Sequence, residues 1–210
     1  MNEEIVIKNA KELDLNEIVG FENEIWPAGT RATKDKFESR LKIFPEGFFL
    51  AYKNGELIGV STSERIDYDP KNPPKSWEVI TDNGYIKKTN NQNGNSIYVV
   101  SIGAKSRSGG GSALVEAQKN LVKRLNLSYL VLGARIPEYN GYVIQNGETP
   151  IEKYVQLKRE DNQLLDSELR FYTRNGLKLV EIIPSYMEDD KESRNYGAIM
   201  VWKNNNPSQK

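Results

Sequence analysis

A glycine-rich run, Ser106-Arg107-Ser108-Gly109-Gly110-Gly111-Ser112-Ala113-Leu114, lies between a strand-like stretch and an amphipathic helix. Val99, Val100 and Ile102 precede it. Leu114, Ala117, Leu121 and Leu125 follow at helical spacing, with Glu116, Lys119, Asn120, Lys123 and Arg124 on the other faces. The pattern predicts a strand from Ile97 to Ile102, a helix from about Gly109 to Leu125 and a second strand from Tyr129 to Leu132. A helical crossover between consecutive strands implies a locally parallel pair. The turn also carries a chemistry. A glycine-rich turn feeding a helix N-terminus offers free backbone N–H groups and the positive end of the helix dipole, so the expected guest is an anion, above all a phosphate.

Whose phosphate it is depends on the neighbours. A nucleotide P-loop needs Gly-Lys-Ser or Gly-Lys-Thr, and no Lys stands there. A dinucleotide fingerprint needs an early strand and an acidic residue at the end of the next one, whereas the next strand here ends in Leu132-Gly133-Ala134-Arg135. An unliganded tight turn stays open on the glycines alone.

Composition narrows the chemistry further. The 210 residues suit one large domain, 1–203, with Asn204 to Lys210 as a frayed tail. Lys plus Arg equal Asp plus Glu at 29 each, and no basic run is present, so neither nucleic acid nor an anionic membrane is the expected partner. With no long apolar run and no basic-then-apolar leader, the expectation is a cytoplasmic protein. There is no Cys and no His. That removes disulfides, Cys- or His-built zinc sites, a cysteine nucleophile and any Ser-His-Asp triad, and no metal is expected. Catalysis falls to carboxylates, Tyr, Lys, Ser or backbone dipoles.

The remaining elements give a mixed α/β order. Ile5 to Ile7 read as a strand. A helix follows from Asp14, with Glu17 as capping-box partner and Leu15, Ile18, Val19, Phe21 and Ile25 on its apolar face, ending at Pro27 and Gly29. A second helix from Thr33 to about Ile43 buries Phe37 and Leu41. Phe48 to Tyr52 and Leu57 to Ser63 form a hairpin across Lys53-Asn54-Gly55-Glu56. Residues 67–96, with Pro70, Pro73, Pro74 and an Asn-rich run, read as a solvated loop, or as a substrate-side flap carrying Trp77 and Tyr85. A helical segment near Ile151 to Leu157, a helix from Asp166 to Asn175-Gly176, and strands Leu177 to Ile183 and Tyr196 to Trp202 complete the chain.

Over nearly its full length this order resembles the GCN5-related N-acetyltransferases, the GNAT family. Its pyrophosphate motif, Gln/Arg-x-x-Gly-x-Gly/Ala, matches Gly109 and Gly111 with Ser106 at the Gln/Arg position, or starts at Arg107 with Gly110 and Ser112. Both registers stay open. The family's Phe-Tyr-x-x-x-Gly-Phe segment is similar to Phe171-Tyr172-Thr173-Arg174-Asn175-Gly176-Leu177. Segments around Gly133-Ala134-Arg135, Tyr154-Val155, Tyr186-Met187 and Glu192 to Gly197 resemble the branch whose acetyltransferase domains are found fused to carbon–nitrogen hydrolases. The chain's length suggests a stand-alone member.

The resemblance implies an acyl-CoA N-acyltransferase fold, α/β (α+β), with a mixed central sheet of about six to seven strands flanked by helices. It implies acetyl-CoA as co-substrate and an amine acceptor, with a homodimer as an open expectation. The amides from Arg107 through Ser108, Gly109, Gly110 and Gly111 to Ser112 would hold the pyrophosphate. The strand edge at Val100, Ser101 and Ile102 would bind the pantetheine arm, one N–H polarising the thioester carbonyl. Tyr172 would protonate the departing thiolate. Glu64, Glu78 and Glu138 are positional candidates for the general base, and Arg135 for an anionic substrate group, each with a surface role as the alternative. A non-catalytic acyl-CoA-binding or sensing domain, or a protein-interaction module, also remains open.

Overall fold

In the computed structural model, which describes residues 4–27 and 29–205, seven strands form one sheet in the order β1-β2-β3-β4-β5-β7-β6. The strands are β1 (Ile5–Asn9), β2 (Phe49–Lys53), β3 (Glu56–Ile66), β4 (Ser96–Ala104), β5 (Tyr129–Ala134), β6 (Lys178–Ile183) and β7 (Gly197–Lys203). The helices are α1 (Leu15–Ile25), α2 (Lys34–Ile43), α3 (Trp77–Ile80), α4 (Gly110–Arg124), α5 (Tyr139–Asn146), α6 (Ile151–Tyr154) and α7 (Ser167–Arg174). The expected mixed sheet flanked by helices is therefore present. Among the described residues no helix is long and apolar enough to cross a membrane.

The described residues cluster into two compact units. One takes in those of Met1–Tyr68, Thr81–Leu130 and Asn204–Lys210. Its strands β1 to β4 run antiparallel, neighbour to neighbour. Asn54 and Gly55 at the β2–β3 turn have φ of 52° and 80°, the positive values that a two-residue hairpin needs and that Asn-Gly supplies with least strain. Ser61 meets Gln118 of α4 and Thr62 meets Arg40 of α2, so consecutive β3 residues place α4 on one face and α2 on the other. Leu15, Ile18, Phe21, Phe37 and Leu41 pack with Phe48, Leu50, Leu57 and Val60 as the core beneath α1 and α2. Each such fully buried side chain contributes about 1.5–3 kcal/mol relative to exposure.

The α1 start differs from expectation. Asp14 makes no capping bond with its side chain and instead accepts from Lys11 N at 2.8 Å, closing a 3-10 turn over Glu12–Asp14. Residues 67–96 differ more. Thr81 and Ile86 are fully buried, Ser39 Oγ donates to the Tyr85 carbonyl and Arg40 Nε to the Gly84 carbonyl. The part from Thr81 onward is a packed cover on the α2 side of the first unit, not a solvated loop. Asn204 is not frayed either: its N–H donates to Ser128 O and its Nδ2 to Leu127 O, both at 2.8–2.9 Å. Residues 206–210 of the expected tail lie outside the described residues.

The second unit takes in Asp69–Ile80 and Val131–Lys203, with β6 and β7 antiparallel. The ring of Tyr186, wholly buried, lies where Cβ atoms on Gly133 and Gly197 would otherwise project. Helix α7 forms as its sequence dictates. The Asp166 carboxylate caps the N–H groups of Glu168 and Leu169, and Gly176 takes φ of 83° just past the end. Helix α5 has no counterpart in the sequence reading, and the segment at Ile151 is a single turn.

Candidate functional site

The glycine turn is built on β3. Lys105 N donates to the Ile58 carbonyl at 2.9 Å, and the Lys105 carbonyl accepts from Ser108 N (3.2 Å) and Ser108 Oγ (2.7 Å). Gly110 N then donates to Ser108 Oγ at 3.1 Å. Arg107 and Gly109 both have positive φ, 58° and 84°, which turns the chain sharply into α4. A Cβ on Gly110 would stand 3.0 Å from the Ile58 carbonyl oxygen, so only glycine fits without displacement. The N–H groups of Arg107, Gly109, Gly111 and Ser112 have no acceptor among the described residues. Four open donors at the positive end of a 15-residue helix are what an anion requires.

Immediately upstream, β4 carries one extra residue opposite β3. Ser101 faces Thr62 and Val99 faces Ser63, so the register steps at Val100. Such a bulge bends the strand and re-aims its backbone groups. Val100 is buried, whereas Ser101 and Ile102 are half-exposed. The strand residues expected to bind a pantetheine arm thus coincide with an irregularity.

A polar group is buried on the α2 face of the same unit. Arg40, 1% exposed, donates from Nε to Gly84 O (2.7 Å) and from Nη1 to Thr62 Oγ1 and Ser101 Oγ (3.1 Å each). Burial lowers its pKa to about 10. Glu64, fully buried on β3, accepts from Thr89 Oγ1 at 2.6 Å through Oε2, while Oε1 has no partner among the described residues. Burial pushes its carboxyl up to about 8, against the Thr89 bond and the positive charge of Arg40. The other base candidates differ. Both Glu78 oxygens are engaged, by Ser76 Oγ and Glu188 N, and Glu138 is exposed and accepts from Ser167 N. Glu64 alone of the three combines burial with an open oxygen.

In the second unit Tyr172 is 6% exposed, its ring 5.0 Å from that of Phe171. Burial, with the carboxylate of Glu168 one turn earlier, raises the phenol far above its ordinary range. Glu168 is itself pushed up to about 8 by burial. Of the two roles open for Arg135, the structure shows the salt bridge: it is held by Asp190 (2.9 and 2.6 Å) and Glu192 (2.6 Å).

Sequence reasoning passed over Arg40 and Glu168. Each left a signal. Phe37, Arg40, Leu41 and Phe44 recur at helical spacing, which sets an arginine inside an apolar stripe, and Glu168 stands four residues before Tyr172 on one helix face.

No family model matches the chain. It is 34% identical over 203 residues to a probable hydrolase, YhcX, of Bacillus subtilis (strain 168), covering 95% of this chain and 39% of that protein. The chain thus spans about two fifths of that relative's length. It is 33% identical over 209 residues to an uncharacterised N-acetyltransferase, YkwB, of the same organism, covering 96% of this chain and 90% of the relative. Among solved structures, the GNAT-like decarboxylase GphF in complex with isobutyryl-CoA superposes with a TM-score of 0.77 at 19% identity, covering 94% of this chain and 98% of that one.

Proposed function

The chain belongs to the GCN5-related N-acetyltransferase family, and from that premise we propose that it transfers an acetyl group from acetyl-CoA directly to an amine. The observation that carries this reading is the turn before α4, with open N–H groups at Arg107, Gly109, Gly111 and Ser112 and a backbone approach that Gly110 alone allows. These four donors receive the pyrophosphate of coenzyme A, while the N–H groups of Ser108 and Gly110, expected among them, are engaged inside the turn by the Lys105 carbonyl and Ser108 Oγ. The bulged strand from Val100 through Ser101 to Ile102 hydrogen-bonds the pantetheine arm, and one of its N–H groups polarises the thioester carbonyl.

Glu64 takes the proton from the acceptor ammonium, a task suited to a carboxyl raised to about 8 by burial. The amine nitrogen then bonds to the thioester carbon, the C–S bond breaks, and Tyr172 gives its proton to the departing thiolate. A phenol kept neutral by burial is available as that donor at every physiological pH. Holding both substrates together supplies much of the remaining acceleration.

The test is a thiol-release assay with acetyl-CoA and a panel of amines, run beside calorimetric titration of acetyl-CoA. Micromolar binding with amine-dependent thiol release supports the reading. Binding without release for any amine assigns a sensing or carrier domain instead, and no binding at millimolar acetyl-CoA removes the acyl-CoA reading altogether.

A further inference from the structure

Arg40 is a buried cation without a contacting anion. Its five N–H donors reach only neutral acceptors, the Gly84 carbonyl and the hydroxyls of Thr62 and Ser101, and the two donors on Nη2 have no acceptor among the described residues. Among the described residues no carboxylate is within ion-pair distance of it. The two that act on it from farther away, Glu22 and Glu64, are biased toward their neutral forms by burial. Lys36 adds a second positive charge within electrostatic reach. Removing a guanidinium from water without a paired charge costs several kcal/mol, so an anion supplied from outside would be bound with unusual advantage.

Ser101 is where that charge meets the open side. Thr62 and Ser101 share a hydrogen bond of 2.8 Å, and both accept from Arg40. Thr62 is fully buried and has no other acceptor for its hydrogen among the described residues, so it donates to Ser101. The hydrogen of Ser101 is then left to point away from the pair. Ser101 is the half-exposed member. A hydroxyl that accepts from a guanidinium and a second hydroxyl is a polarised donor, and charge-assisted bonds of this kind are about twice as strong as neutral ones.

We infer that Ser101, backed by Arg40, is a carboxylate subsite, so that the molecule bound on this face of β4 carries a carboxylate from either the amine acceptor or the acyl chain. The inference rests on the acyl-transfer reading above and names the substrate class of that site. In the first case the acceptor is an amino acid, its ammonium the group that Glu64 deprotonates in the reading above.

Two arms separate the sources. Acceptors are compared as pairs differing only in the presence of a carboxylate (phenylalanine with phenethylamine, lysine with cadaverine), reading kcat/KM with acetyl-CoA. Acyl donors are compared as malonyl-CoA against acetyl-CoA, reading Kd by calorimetry without any acceptor. One arm is expected to favour the carboxylated member about tenfold or more, and Ser101→Ala and Arg40→Lys are each expected to shrink that ratio to about threefold or less. Circular dichroism and acetyl-CoA affinity report whether the Arg40 variant is folded, and Ser101→Ala carries the test if it is not. Equal treatment of both members in both arms overturns the inference. So does a Ser101→Ala loss of equal size on both members, which assigns that hydroxyl to the thioester oxygen. Failure of acyl transfer itself reads differently, as no thiol release from any amine, and leaves the calorimetric arm intact.

Discussion

Thr89 Oγ1 donates to Glu64 Oε2 at 2.6 Å, and this single bond holds a fully buried carboxyl whose second oxygen has no partner among the described residues. Thr89 comes from the cover segment and Glu64 from the C-terminal end of β3, so the cover positions the carboxyl rather than merely shielding the sheet. An orphaned buried oxygen is costly, about 1–3 kcal/mol, and such groups persist where they have work to do.

That work is testable through pH. A base acts when deprotonated, so kcat/KM for thiol release should rise as pH climbs through about 8, the value to which burial raises Glu64. Glu64→Gln keeps the shape and removes the ionisation. It should lower kcat/KM by about 10²–10⁴-fold and flatten the rising limb. A wild-type limb that survives unchanged in Glu64→Gln assigns the base elsewhere, with Glu168, also raised to about 8, as the next to replace.

Tyr172→Phe removes one hydroxyl from a side chain that is otherwise packed against Phe171. Turnover should fall about 10–100-fold with acetyl-CoA affinity nearly unchanged, since the lost group acts on the departing thiolate and not on the bound cofactor. Calorimetry and steady-state kinetics on the same preparation separate the two. Unaltered turnover would leave Tyr172 as a packing residue.

What could be read in the sequence was whatever is decided locally. The Asn54-Gly55 hairpin, the Asp166 cap and the Gly176 stop each depend on residues within a few positions, and all three form. The glycine turn was legible for the same reason. Residues 81–95 were not, because their burial rests on partners such as Arg40 to Gly84 and Ser39 to Tyr85, 44 and 46 positions apart. Arg135 was left open between a substrate group and a salt bridge for a related reason: Asp190 and Glu192, which occupy it, lie 55 and 57 positions downstream. Local polarity said loop, and long-range contacts overrode it.

Gly110→Val tests the cradle. A β-branched side chain would press on the Ile58 carbonyl, 3.0 Å from where its Cβ must stand, and push the backbone donors out of line. Acetyl-CoA affinity should weaken about tenfold or more, with Kd read by titration, while far-ultraviolet circular dichroism stays close to that of the parent. Undiminished affinity would place the pyrophosphate elsewhere.

The branch-like segments around Gly133, Tyr186 and Gly197 have a packing explanation that needs no substrate. Backbone bonds fix the Tyr186 main chain, its N–H donating to Asn195 O and its carbonyl accepting from Trp77 N, both at 2.8 Å. Its ring fills the space over the two glycines, where an added Cβ would overlap ring carbons. The three residues therefore form one steric unit, and substitution at one position should depend on the others. Gly133→Ala should destabilise the fold by about 1–3 kcal/mol, as overpacking of a buried site does. Tyr186→Leu should destabilise it by a similar amount through the void it leaves. Together they should cost about 1 kcal/mol or more less than their sum, because the methyl group enters space the ring has vacated. Urea unfolding of the two single variants and the double variant measures this coupling. Strict additivity would mean that Tyr186 moves aside freely and that the glycines answer to something other than its ring.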